Sequence, residues 1–119
     1  MSKGLIYLAS PYSHPNAGVR KQRFEHVCRV AAELMWSGDV IFSPIAHSHP
    51  IAAHGLPDDL EFWKRQDRLY LDACSELWVL RMQGWKTSKG VAWEILVMQE
   101  LCKPVRYLSP VTLELEDSP

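Results

Sequence analysis

The chain has 119 residues, 47% of them hydrophobic, and a formal net charge of −1, which sets the scale of one domain around one core. Its charges are scattered and nearly balanced, which excludes the broad electrostatic affinity that a nucleic-acid polymer or an anionic membrane surface requires. Cys28, Cys74 and Cys102 are odd in number, widely spaced and free of any CxxC pattern. They read as reduced, buried thiols of a cytosolic protein.

The first apolar run, Leu5 to Ala9, is too short for a signal peptide or a membrane span. It predicts a buried strand, and the expected location of the protein is the cytoplasm. Ser10 to Gly18, with Pro11, Pro15 and Gly18, predicts a loop. Phe24, Val27, Cys28, Ala31, Leu34 and Met35 then recur at helical spacing, so a helix is expected over 19–36, ended by Ser37-Gly38. Val40 to Phe42 predicts a second strand. Ser43 to Pro57 holds Pro44, Pro50 and Pro57 beside His47, His49 and His54 and predicts a long functional loop. Asp58 and Asp59 cap a helix expected to reach Cys74. Leu77 to Leu80 is a third strand, 82–87 a loop, and Ser88 opens a helix to about Cys102. A fourth strand over 104–108 completes a domain expected over residues 1–110, followed by a frayed acidic tail over 111–119.

Strand and helix alternate along this whole length. The expected fold class is α/β: a parallel sheet of four or five strands with helices on both faces. Ligands of such sheets bind beyond the C-terminal strand ends, where the loops bring together Ser10, Tyr12, His47, His49, Trp85 and Ser88. The 88–102 helix is apolar nearly all round, through Val91, Ala92, Trp93, Ile95, Leu96, Val97, Met98 and Leu101. Such a helix is expected to be covered on both sides, hence a homo-oligomer through this element. Trp36, Trp63, Trp78 and Trp93 fall on elements and are expected in the core or at an interface.

Several chemistries lack their signatures. No GxGxxG follows the first strand and no GxxxxGK[ST] occurs, which argues against dinucleotide and P-loop cofactors. Ala9-Ser10-Pro11 stands where a phospho-acceptor fold needs acids. The histidine spacing matches no HExxH pattern and no cysteine lies nearby, so neither a metal nor any other cofactor is expected. His47 reads either as a substrate contact or as a loop-packing residue. Trp85, beside Gly84, reads either as a stacking surface for a base or as surface packing.

The informative residues are two acids. Glu25, Glu61, Asp72 and Glu100 lie on polar helix faces. Asp67 and Glu94 instead fall within apolar stripes, where a carboxylate costs free energy unless it is paired or used. A structural partner for them would be a backbone amide, Arg20 or Arg81. A functional reading is a pair of carboxyl groups beneath a pocket, as breaking a glycosidic bond needs.

The segment Ser88-Lys-Gly-Val-Ala-Trp-Glu94 resembles the S-x-G-x-x-x-E segment of the nucleoside 2-deoxyribosyltransferase-like superfamily, which includes the 2'-deoxynucleoside 5'-monophosphate N-glycosidases. Asp67, eight residues before Ser75, matches the helical aspartate of that family by position, and Tyr7-Leu-Ala-Ser10 resembles its strand with the active-site tyrosine. The resemblance follows the element order along nearly the whole chain and is similar to a short bacterial or phage branch. It implies a flavodoxin-like three-layer sandwich and a retaining mechanism, with Glu94 as nucleophile, Asp67 relaying a proton to the leaving base and Tyr7 positioning Glu94 or the sugar. It also implies a small nucleoside or nucleotide as partner. The amides of Ser88 and Gly90, at a helix start, suit a 5'-phosphate. The chain departs from the family at Ser75, commonly an aspartate, at Ser10-Pro-Tyr12, often glycine-rich, and across 43–50. Cleavage of another N-riboside, and a non-catalytic nucleotide sensor on the same fold, are the alternatives.

Overall fold

The computed structural model describes residues 4–119; positions 1–3 of the expected domain lie outside the described residues. The elements in order are β1 (Leu5–Ala9), α1 (Ala17–Trp36), β2 (Val40–Phe42), α2 (Pro44–Ala52), α3 (Leu60–Ala73), β3 (Glu76–Leu80), a 3-10 turn (Trp85–Thr87), α4 (Lys89–Glu100), β4 (Val105–Leu108) and β5 (Leu115–Glu116). The sheet order is β2-β1-β3-β4-β5. The first four strands are parallel, and β5 closes the edge antiparallel to β4. The strand order reverses between β1 and β3, so ligand space opens beyond the C-terminal ends of those two strands.

Alternation along β1 assigns its side chains to two cores. Ile6 and Leu8 join Val27, Val30, Ala31 and Leu34 of α1 on one face. Tyr7 and Ala9 join Leu71 of α3 and Val91, Val97 and Met98 of α4 on the other. Both are closed: Ile6, Tyr7, Leu8 and Ala9 are each 0% exposed. This is the α/β sandwich expected from the alternation of elements, in the flavodoxin-like form that the family resemblance implies.

Four local expectations change. The 43–57 segment is not one long loop: Ser43 accepts from the Ala46 amide at 3.1 Å, Pro44 stands in the first turn, and nine residues form α2. A hydroxyl cap followed by proline is a helix start, and Pro50 is carried inside the helix. The acidic tail is not frayed throughout, because β5 pairs with β4 and Arg81 and Arg106 reach Glu116 and Asp117. Cys102 is exposed and Trp36 is 93% exposed, so neither is a core residue; Cys74 is buried and Cys28 intermediate. The first helix also starts earlier, at Ala17, because Asn16 accepts from the Gly18 and Val19 amides.

Candidate active site

The floor of the site follows from the phase of β1 and the start of α4. Tyr7 points to the α3/α4 face, and Glu94 lies on the inner side of α4, 6% exposed. The phenol donates to Glu94 Oε2 at 2.5 Å. This tyrosine is the partner that the buried acid requires; Arg20 instead donates to the His14 carbonyl, and Arg81 pairs with Glu116. Ser88 anchors the helix by accepting from the Val91 amide at 3.2 Å, which fixes the turn from which Glu94 projects.

Asp67 approaches from α3. That helix is held at its start by Asp59, which accepts from the Phe62 amide at 3.1 Å, and at its end by Lys103. The Lys103 ammonium donates to the carbonyls of Leu71, Asp72 and Cys74 at 3.1, 2.6 and 2.7 Å, satisfying groups that a helix end leaves bare. Asp67 is partly buried, unlike the sealed Glu94.

The electrostatics follow from burial. Desolvation pushes Glu94 up to about 8; the Tyr7 hydrogen bond works against that rise and the Asp67 charge adds to it. Burial alone lifts Asp67 to about 6. Tyr7 is held well above the usual phenol range, first by burial, then by the charges of Glu94 and Asp67. It therefore stays a hydrogen-bond donor throughout the working pH range. Two carboxyl groups in one cleft that titrate on either side of neutrality are the arrangement that an acid and base pair requires. The nearby thiol of Cys74 is pushed up to about 11 by burial, so it stays neutral and unreactive.

Both carboxyl groups line one cleft of about 930 Å³, together with Ser10, Tyr12, Ser88 and Gly90. The expected loops do converge there. Tyr7 lies beneath the cleft rather than in its wall. His47 sits off the main cleft, in an adjoining pocket of about 270 Å³ with Asp67, Trp63 and Tyr70, and packs near Phe42 and Tyr70. Trp85 does not line either space; it is half-buried and packs against Tyr107 at the edge of the α3/α4 core.

The histidine of α2 that lines the main cleft is His49, which shares a 2.6 Å hydrogen bond with the Tyr12 hydroxyl and stacks on Phe24 at 4.2 Å. Helical phase separates it from His47, a distinction that a loop over 43–57 does not carry. Arg20, Arg23, Lys89 and Trp93 also line the cleft. The signal for Trp93 and Lys89 lay in their place beside Glu94 and Ser88, whereas Arg20 and Arg23 needed the packing of α1 to be known. Among the described residues, no group of three or more His, Cys, Asp or Glu side chains is placed to hold a metal ion. No helix among them is long and apolar enough to cross a membrane.

Comparison with solved structures finds the same fold in a 2-deoxyribosyltransferase from the psychrotolerant bacterium Bacillus psychrosaccharolyticus. The two share 24% sequence identity with a TM-score of 0.64, over 94% of this chain and 77% of that one. No protein of curated function matches the sequence. A family model matches residues 4–109, nearly the whole chain, and the chain belongs to that family, described as Domain of unknown function (DUF1937).

Proposed function

We propose that the protein cleaves or transfers the N-glycosidic bond of a nucleoside, a deoxynucleoside or its 5'-monophosphate. The observation that carries this reading is the Tyr7–Glu94 hydrogen bond, sealed beneath a cleft that Glu94 shares with Asp67. The fold shared with a 2-deoxyribosyltransferase is consistent with it.

In this reading the Glu94 carboxylate attacks the anomeric carbon as the carbon–nitrogen bond to the base breaks. The positive charge that develops on the sugar is stabilised by the adjacent carboxylate. Asp67 gives its proton to the departing base. Water, or a second base, then attacks the glycosyl ester and releases Glu94, while Asp67 takes a proton back from the incoming nucleophile. Tyr7 donates to the Glu94 oxygen that is not attacking and keeps the carboxylate aimed. With Glu94 titrating at about 8 and Asp67 at about 6, the proton of the pair rests mostly on Glu94 in the empty site at pH 7, and the reacting form, with Glu94 ionised and Asp67 protonated, is the minor arrangement of the same singly protonated pair. The cationic character of the reacting sugar favours the ionised form at the moment it is needed.

Ser10, Tyr12, Ser88 and Gly90 line the sugar and phosphate side of the cleft in this proposal. His47 and Trp85 stand outside it, so neither is assigned the base. A cytoplasmic homo-oligomer belongs to the same proposal, with the outer face of α4, where Leu96 is 53% exposed, as its contact; light scattering on the purified protein measures that state.

The direct test is chromatographic detection of free base from a panel of ribo- and deoxyribonucleosides and their 5'-monophosphates, with wild type beside Glu94→Ala. Base released by the wild type alone supports the reading, and the preferred substrate names the sugar. Calorimetric binding of a nucleotide with no release after long incubation supports the sensor alternative instead.

A further inference from the structure

The cleft holds more positive charge than a monophosphate matches. Arg20, Arg23 and Lys89 all line it and none makes an ion pair with an acid among the described residues, whereas Lys64 pairs with Glu61 at 3.2 Å. Beside these three cations, the N-termini of α1 and α4 open into the same space through Ala17 and Lys89. Each helix start adds about half a positive charge. A phosphate monoester brings only about −1.5 to −2 at neutral pH. The facing acids are Asp58 at the rim and the pair Asp67 and Glu94 at the floor, and the latter two are committed to the chemistry above.

The two arginines are built in. Arg23 bridges the loops that follow β1 and β3, donating to the Ser13 carbonyl at 3.0 Å and to the Gln83 carbonyl at 3.4 Å. It passes so close to Gly84 that a Cβ there would stand 2.6 Å from the guanidinium. Arg20 donates to the His14 carbonyl. Each arginine thus spends part of its donor set on loop backbone, which neutralises none of its charge and holds the planar group in place. Planar, pre-placed guanidinium groups suit phosphoryl oxygens. A second feature marks the same space as ligand-bearing. Ser10 lines the cleft at the end of β1, is 5% exposed, and its hydroxyl is the buried side-chain oxygen without a hydrogen-bond partner among the described residues. An orphaned buried hydroxyl is costly unless something pairs with it.

We infer that the cleft takes a nucleotide with two or more linked phosphoryl groups, held between the starts of α1 and α4 by Arg20, Arg23 and Lys89. The nucleotide part rests on the N-glycosidic reading; the anion site does not. The volume of about 930 Å³ stands near the upper end of small-molecule sites, roughly 300–1,000 Å³, and leaves room for the longer substrate. A nucleoside di- or triphosphate and a pyrophosphate-bridged dinucleotide share this chemistry.

The test has two arms. Calorimetry with inorganic pyrophosphate and with orthophosphate, on wild type, Arg20→Met and Lys89→Met, reads the anion site without turnover. Pyrophosphate is expected to bind at least about tenfold tighter than orthophosphate, a 1.4 kcal/mol difference, and each variant is expected to lose most of that preference. Lys89→Met guards against a folding defect, since Lys89 is exposed. Equal binding of the two anions, or a preference untouched in both variants, overturns the inference. The second arm compares base release from mono-, di- and triphosphates and from a pyrophosphate-bridged dinucleotide. A kcat/KM at least about tenfold higher for any multiply phosphorylated substrate supports the inference and identifies its source. A monophosphate turned over equally well overturns it. Tight pyrophosphate binding with no base released from any substrate keeps the anion site and sinks the N-glycosidic reading.

Discussion

Glu94 and Asp67 are two carboxyl groups on neighbouring helices of one face, and their surroundings differ in kind. Glu94 is 6% exposed, pinned by a tyrosine from the central strand and titrates at about 8. Asp67 is only partly buried, stands in the wall shared by the large cleft and the aromatic pocket, and titrates at about 6. The floor is closed, because Tyr7 of β1 and Glu94 of α4 pack against each other there. The wall, built from α2 and α3, faces solvent and ligand. In the proposed mechanism the same functional group serves as a positioned nucleophile in one place and an accessible proton carrier in the other, and burial rather than residue type sets the two apart.

The largest effect expected from this division is at Glu94. Glu94→Gln should lower kcat/KM by at least about 10³-fold, as loss of a nucleophile does, while circular dichroism shows an intact fold. The same substitution has a signature in stability. The folded Glu94 titrates above its unfolded value near 4.5, so the native state binds the extra proton. Its contribution is fully present below pH 4.5 and is lost as pH rises through about 8. Glu94→Gln should therefore be the more stable protein at pH 8 to 9, by a few kcal/mol at most, and the advantage should vanish at pH 4. Denaturant melts at the two pH values check this.

Asp67→Asn comes next, with an expected loss of about 10²–10⁴-fold, the range of a general acid. The wild-type kcat/KM should rise with pH to about 6 and fall above about 8, as the singly protonated pair forms and is lost. In Asp67→Asn the alkaline fall should disappear, leaving one rise through the titration of Glu94. That rise should sit below 8, because the Asp67 charge that lifts Glu94 is gone. Tyr7→Phe should cost less, about tenfold, comparable to the loss of one charge-assisted hydrogen bond. It removes the donor that favours ionised Glu94, so the alkaline limb should move above 8. An unshifted limb would mean that the phenol does not act through Glu94.

The smallest effect belongs to the wall. Ser43→Ala removes the cap of α2 and should cost about 1 kcal/mol in stability. Because His49 and Ser48 of α2 line the cleft, KM should rise by a few-fold with kcat nearly constant. A change in kcat instead would show that the floor and the wall are not separable.

The parts of this division were unequally legible in the sequence. Strand and helix alternation reports the sheet and its cover, because each element must bury one face. The acids at 67 and 94 stood out because charge in an apolar stripe is costly. Tyr7 was named through a family resemblance, and its contact with Glu94 depends on the two-residue period of β1 meeting α4 across 87 residues. The wall was harder to read. Pro50 masked α2, although Ser43-Pro44 is itself a helix start, and without α2 the roles of His47 and His49 could not be separated. Around α4, Val91, Glu94, Val97 and Met98 face the sheet and are buried, while Leu96 is open on the side where a second subunit is expected. Arg20 and Arg23 reach the cleft because α1, capped by Asn16, turns Arg20 over the loop after β1 and Arg23 across the loops after β1 and β3.

The central claim is that Glu94 is the nucleophile, and mass spectrometry of the acid-quenched reaction tests it most directly. With a substrate fluorinated at the 2' position, which slows breakdown of a glycosyl ester by destabilising its cationic transition state, the protein should gain the mass of one sugar. Peptide mapping should place that mass on Glu94, and Glu94→Gln should gain nothing. Rapid base release with no adduct, or an adduct on another residue, would contradict the account.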